Sequence, residues 1–200
     1  YIKKELEFKK FLPKIIKIEK EVDDILLKKI NNQYFNTEGN KENLKFILEV
    51  SKILKLKKKL LVETLKKFKG LKYRQQIIFQ SKKLIIINDS KATTFSSSVS
   101  LLKSLTNVYW IVGGQSKKGD KLLLSKKNCK NIKAYVFGTD KNFFINKLKK
   151  LMKYESFTDL KSLVKKLSLE IKVDRNKTYK TILFSPSAAS FDNFKNFEKR

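Results

Sequence analysis

The chain has 200 residues, 41% of them hydrophobic, with 15 Phe and 7 Tyr. That excludes global disorder and supports one good-sized domain, or one domain and part of another. The formal net charge is +28, there is no His, and Cys129 stands alone. His-based triads, His general bases, His metal ligands and thiolate metal clusters are therefore excluded within the chain.

The charge has two readings. A basic α/β module that binds nucleic acid gains affinity from positive potential. Against it, only Arg74, Arg175 and Arg200 are arginine, and the lysines are spread along the whole chain, whereas base and phosphate recognition recruits arginine forks. Drift toward Lys, Asn, Ile and Phe gives the same number, and an enzyme of anionic substrates also gains from it. No apolar run approaches the roughly 18 residues a membrane span needs. The chain starts at Tyr1, not Met, and is expected to be a piece of a longer protein.

Residues 1–37 are Lys-rich and weakly patterned, with apolar pieces at Ile15-Ile16, Ile25-Leu26-Leu27 and Tyr34-Phe35. From Asn40 to Leu54 the spacing predicts a helix with Leu44, Ile47, Leu48 and Leu54 on one face. A second helix, over 57–68, carries Leu61, Leu65 and Phe68, and Gly70 sits where a helix stop belongs. The period then changes. Gln76–Phe79 and Lys83–Asn88 read as strands joined by a polar turn, and a domain boundary is expected near residue 74. Val108–Val112, Ala134–Phe137 and Thr181–Phe184 are short apolar runs of the kind found in buried parallel strands. A helix over 158–169 is expected to turn Leu160, Leu163, Val164 and Leu167 inward, with Ser156 and Asp159 as a capping box. Alternating strands and helices predict an α/β fold with a mostly parallel sheet.

In such a sheet ligands bind beyond the carboxyl ends of the strands. Three strand ends are followed by small or polar residues: Asn88-Asp89-Ser90-Lys91-Ala92-Thr93, then Gly113-Gly114-Gln115-Ser116-Lys117-Lys118-Gly119-Asp120, then Ser185-Pro186-Ser187-Ala188-Ala189-Ser190-Phe191-Asp192. Taken singly, each has a plain alternative. Asp89 and Lys91 make either a strand-end turn or a carboxylate beside a phosphate-seeking cation. Gly113-Gly114 makes either a turn or a close backbone approach to a ligand. Ser185–Ser190 either caps a helix starting near Phe191 or offers its amides to an anion. Together, on one rim, they describe a site for a small dicarboxylate or a nucleotide.

The order strand-NDSKAT, strand-GGxxKxxD, strand-SPxxASxDxFxNFE resembles the UDP-N-acetylmuramoylalanine–D-glutamate ligases, a branch of the Mur ligase family. The resemblance is strong from about Asn40 to Arg200 and weak before it. It implies that residues 1–74 are the helical tail of a central ATPase domain. Residues 75–200 would be a Rossmann-like C-terminal Mur ligase domain that binds D-glutamate. The P-loop signature is absent, as expected for a piece that begins downstream of it. Carried over by position, Thr93, Lys117, Ser190 and Phe197 would hold D-glutamate, and Lys117 would pair with a substrate carboxylate. Lys91 would reach the ATP phosphates and Asp89 the ribose region, with Lys91 and Lys117 the catalytic pair. Asn40, Asn43 and Arg74 would contact the nucleotide. No metal ligand is implied in this chain.

The implied reaction joins D-glutamate to UDP-N-acetylmuramoyl-L-alanine with ATP and Mg²⁺ through an acyl phosphate. It is a cytoplasmic step of peptidoglycan synthesis by a monomer, with no nucleic-acid or membrane partner. The chain alone would be inactive. Four departures stand out: Gly39 and Tyr73 where His is usual, Thr94 for Asn, and Lys118 for Gly. A sibling ligase that adds another amino acid, and the basic nucleic-acid module, are the alternatives.

Overall fold

The computed structural model describes residues 18, 21–173, 178–192 and 194–200. The apolar pair Ile15-Ile16 and Arg175 lie outside them. The chain divides into two compact units. One is built from Asn40–Phe68 and the described residues before Thr37; the other is built from Thr37–Gly39 and from Lys69 onward.

The first unit is helical. Helix α1 spans Asp24–Ile30; Asp23 caps it by accepting the Ile25 N–H at 2.9 Å, and Asn31 closes it in the left-handed region at φ 44°. A 3₁₀ turn over Gln33–Asn36 leads to α2, Glu38–Ile53, and then to α3, Lys58–Lys67. Ile30, Phe35, Leu44 and Leu65 form the buried core. The expected stripe on α2 is only partly inward. Leu44 is fully buried, but Ile47 and Leu54 are 37% and 61% exposed. Three short helices make a core wide enough for one ridge, so the flanks of the stripe stay in water. The end of α3 is tied by a side chain: Asn32 donates to the carbonyls of Leu65, which also accepts the Phe68 N–H, and of Phe68, at 2.8 and 2.7 Å.

The second unit is an α/β layer structure. Strand β1, Gln76–Gln80, pairs antiparallel with β2, Leu84–Asn88, and the register slips between Ile77 and Phe79. The remaining strands are β3 (Val108–Gly113), β4 (Ile132–Phe137), β5 (Lys153–Ser156) and β6 (Lys180–Phe184). They form one six-stranded sheet in the order β1-β2-β6-β3-β4-β5, parallel throughout except for β1. Strand β5 has the sequence Lys-Tyr-Glu-Ser, which carries no apolar run and gave no strand signal.

Alternation along the strands fills two layers. Trp110, Val112, Ala134 and Val136 pack with Phe95, Leu101 and Leu102 of α4 (Phe95–Ser104) and Phe144 and Leu148 of α5 (Lys141–Leu148). Ile111, Tyr135 and Phe137 pack with Leu163 and Leu167 of α6 (Leu160–Val173). Two expectations for α6 are corrected. Val164 is 49% exposed, because Leu163 and Leu167 already fill the single row that faces the sheet. Ser156 ends β5; the cap is Asp159 alone, which accepts the Ser162 N–H at 2.8 Å.

The helix expected from Phe191 does not form among the described residues. The Phe194 N–H reaches Ser190 O at 3.0 Å, giving one helical turn, and turns and bends follow to Arg200. Phe191 is 73% exposed, so no buried stripe extends that turn into a helix.

Candidate ligand site at the carboxyl rim

Strands β2, β6 and β3 are neighbours and parallel, so the three polar loops leave the sheet side by side. They are also bonded to each other. The Asp89 N–H donates to Phe184 O at 2.7 Å, Gly113 N–H to Pro186 O at 2.9 Å, and Gln115 and Ala189 exchange both backbone bonds at 3.1 and 2.9 Å. A buried polar network lies below. Ser185 Oγ donates to Asp89 Oδ2 at 2.8 Å, and Ser98 Oγ of α4 bonds Ser185 Oγ and Ser187 Oγ at 2.6 and 2.7 Å. Trp110 Nε1 closes it on Ser185 O at 2.8 Å.

The other Asp89 oxygen accepts the Gln75 N–H at 3.1 Å. Burial pushes the Asp89 carboxyl up to about 6, against the pull of these two donors and the Arg74 charge. Arg74 itself is exposed. Lys91 is exposed, and its ammonium sits 3.9 Å above the Phe197 ring. Tyr73, in the left-handed region at φ 64°, packs edge-on against the same ring at 5.6 Å and accepts the Lys91 N–H on its carbonyl at 3.0 Å. Tyr73, Lys91 and Phe197 thus form one stack.

Thr93 and Lys117 are exposed, and Ser190 is buried at 4% exposure. Asp120 ties their loops together: its Oδ2 accepts the Phe95 N–H at 2.6 Å, and its own N–H bonds Lys117 O at 3.1 Å. Asp120 therefore supplies the acceptor at the start of α4 that Thr94 leaves to its neighbours Ser96 and Ser97. Asn40 and Asn43 lie on α2 in the first unit. Asn40 is buried and donates to Tyr34 O at 2.7 Å, whereas Asn43 is exposed.

The glycine pair serves the protein's own backbone. Gly113 has φ 136°, and a Cβ there would fall 2.0 Å from Phe137 O; at Gly114, φ 125°, it would fall 2.7 Å from Ala189 O. The close backbone approach is to β4 and the β6 loop.

The chain is 34% identical over 186 residues to the UDP-N-acetylmuramoylalanine–D-glutamate ligase of Wolbachia from Brugia malayi, covering 90% of this chain and 37% of the relative. It is 32% identical over 178 residues to the enzyme of that name from Rickettsia bellii, covering 89% and 39%. The chain belongs to the Mur ligase family. It spans little more than a third of the length of these curated relatives. No family model matches the chain.

Solved Mur ligases share the fold. MurF from Acinetobacter baumannii superposes with a TM-score of 0.56 at 13% identity, over 81% of this chain and 37% of that one. UDP-N-acetylmuramate-alanine ligase MurC from Thermotoga maritima gives 0.51 at 18% identity, over 76% and 35%.

Two residues of this Mur ligase chain escaped the sequence reading. Asp140, after β4, accepts the Ser116 N–H and hydroxyl at 2.8 and 2.7 Å, and these two bonds hold its carboxyl below the usual range. It brings a fourth strand end to the rim, signalled only by Gly138-Thr139-Asp140 after an apolar run. Arg200 donates from Nη2 to Ser90 O at 2.7 Å and from Nη1 to Ala188 O and Ala189 O at 3.0 and 3.1 Å. Burial lowers its pKa to about 10. Its signal was rarity: arginine occupies three of 47 basic positions.

Proposed function

We propose that the rim of β2, β6 and β3 presents D-glutamate for ATP-dependent ligation to UDP-N-acetylmuramoyl-L-alanine. The observation that carries the reading is the adjacency of the three parallel strand ends bearing Lys91, Lys117 and Ser190. The names of the relatives supply the amino acid. In this reading, residues 75–200 are the D-glutamate-binding domain and residues 1–74 the end of an ATP-binding domain. Thr93 and Ser190 donate hydrogen bonds to D-glutamate, Lys117 pairs with a carboxylate and Phe197 lines the pocket. Lys91 turns from the Phe197 ring to the ATP phosphates, and Asp89, Arg74, Asn40 and Asn43 belong to the nucleotide side.

ATP transfers its γ-phosphoryl group to the alanyl carboxylate, giving an acyl phosphate and ADP. The amine of D-glutamate attacks the acyl carbon, loses a proton, and the tetrahedral intermediate expels phosphate. This chain's part is orientation of the nucleophile, an effect worth several kcal/mol and up to roughly 7–11 in ideal cases. Lys91 and Lys117 add fixed positive charge where phosphate charge develops. Among the described residues, no group of three or more His, Cys, Asp or Glu could hold a metal ion. No step on this chain is therefore assigned to Mg²⁺.

The test is amino-acid-dependent phosphate release by the ligase of full family length that carries this chain. D-glutamate is expected to support it, and release with another amino acid in its place would refute the reading. Lys117→Ala is expected to raise KM for D-glutamate by about 10–100-fold, the loss of a charge-assisted hydrogen bond, with KM for ATP little changed. An equal rise in both would remove Lys117 from the amino-acid pocket.

A further inference from the structure

Arg200 bonds two of the three rim loops and lies beside the third. Its two terminal nitrogens bond the carbonyls of Ser90, Ala188 and Ala189, and a Cβ built on Gly114 would lie 3.3 Å from Nη1. Strands β2, β6 and β3 are already joined by their own ladders, so their placement does not require this side chain. What Arg200 adds is confined to the segments beyond the strand ends. Those are the segments that carry Lys91 and Thr93 on one side and Ser190 on the other.

The arrangement is costly for a purely structural clamp. A guanidinium is withdrawn from water onto three neutral carbonyls, and the nearby Asp192 charge offsets only part of the burial that lowers its pKa. Arg200 Nε and Ser90 Oγ are both buried without a hydrogen-bond partner among the described residues. A lysine, the residue this chain uses at nearly every other basic position, cannot replace it. An ammonium is a single point charge, whereas the planar fork reaches two loops at fixed separation.

We propose that Arg200 is a positioning residue that sets the spacing of the rim loops after β2 and β6 and thereby the affinity of the site for its amino-acid substrate. The inference rests on the D-glutamate reading for the ligand and on the geometry alone for the loops. Arg200 reaches substrate only through the backbone it holds.

The test compares wild type, Arg200→Lys and Arg200→Ala in the 200-residue chain by amide hydrogen exchange, thermal unfolding and NMR titration with D-glutamate. The amides of Lys91, Ala92 and Ala189 report on the loops, since they donate to the carbonyls of Tyr73, Asp89 and Gln115 respectively. Both variants are expected to speed exchange at these amides by about tenfold or more while the amides of β3 and β6 stay protected, because the loops open without the sheet. D-glutamate is expected to bind correspondingly more weakly to both, and Lys is not expected to rescue Ala. If Arg200→Ala does not fold, Arg200→Lys decides the matter by the same readouts. Unchanged loop exchange, or loops and sheet loosening together, overturns the positioning role. So does D-glutamate affinity that survives loop opening. No binding of D-glutamate by wild type overturns the ligand reading instead, and the exchange data still judge the clamp.

Discussion

Asp89 illustrates how one side chain at the rim is tied into the fold. Its carboxylate holds Ser185 and the Gln75 N–H, yet burial outweighs these donors and raises its pKa from 3.8 to about 6. A folded-state pKa above the unfolded one means the native state binds the proton more tightly. This contribution to stability is complete below about pH 4 and is lost as pH rises through about 6. The displacement is worth about 3 kcal/mol between the two protonation states. Asp89→Asn carries no charge at any pH. Its stability relative to wild type is therefore expected to improve by up to about 3 kcal/mol between pH 4 and pH 7. Urea unfolding of both proteins at the two pH values measures this directly, and a pH-independent difference would place the titration elsewhere. The same side chain was read from sequence as a nucleotide ligand; its bonds to Ser185 and Gln75 were not legible, because they join residues 96 and 14 positions away.

At the scale of elements, what was legible followed from period and length. The runs at β3, β4 and β6 are apolar on both faces because helices cover both. Their sequence signal is therefore strong, and so is the rule that sends ligands to their carboxyl ends. Strand β5 and the register slip in β1 were hidden, since an edge strand with Lys153, Tyr154 and Ser156 exposed needs no apolar pattern. For Gly113-Gly114 the need for backbone freedom is legible, as a turn or as a close approach to a ligand, but the neighbours that require it are not. The pair's close approach is to Phe137 O and Ala189 O, and it seats β3 against β4 and the β6 loop. Gly113→Ala is expected to cost about 3 kcal/mol or more, since the new methyl meets a backbone oxygen that no rotamer can move and φ 136° is strained for any L side chain. Thermal melts compare it with Gly119→Ala, where a Cβ at φ 80° meets nothing within 4 Å. The Gly119 variant isolates backbone strain, and equal losses in the two would show that the Phe137 contact contributes nothing.

Across the whole molecule the charge of +28 is the dominant long-range term. Few carboxylates answer it. The ion pairs among the described residues include Lys45 with Glu21 and Glu42, Lys52 with Glu49, and Lys133 with Glu155 and Glu170. The excess lysines repel one another over distances comparable to the Debye length, about 10 Å at 0.1 M salt, and that repulsion opposes the compact state. Salt therefore acts in opposite directions on fold and site. Screening relieves the repulsion, so the melting temperature is expected to rise by several degrees between about 0.02 and 0.3 M NaCl, a range over which the Debye length falls several-fold. Binding of a dicarboxylate loses the attraction of the same charges and is expected to weaken modestly over that range. A nucleic-acid module would behave differently, since release of counterions from many phosphates makes affinity fall by orders of magnitude over the same salt interval. Melting curves and a D-glutamate titration across one salt series separate the two. A melting temperature that falls with salt would mean that ion pairs stabilise this chain more than lysine repulsion destabilises it. Steep, salt-sensitive binding to single-stranded RNA would return the charge to a functional role.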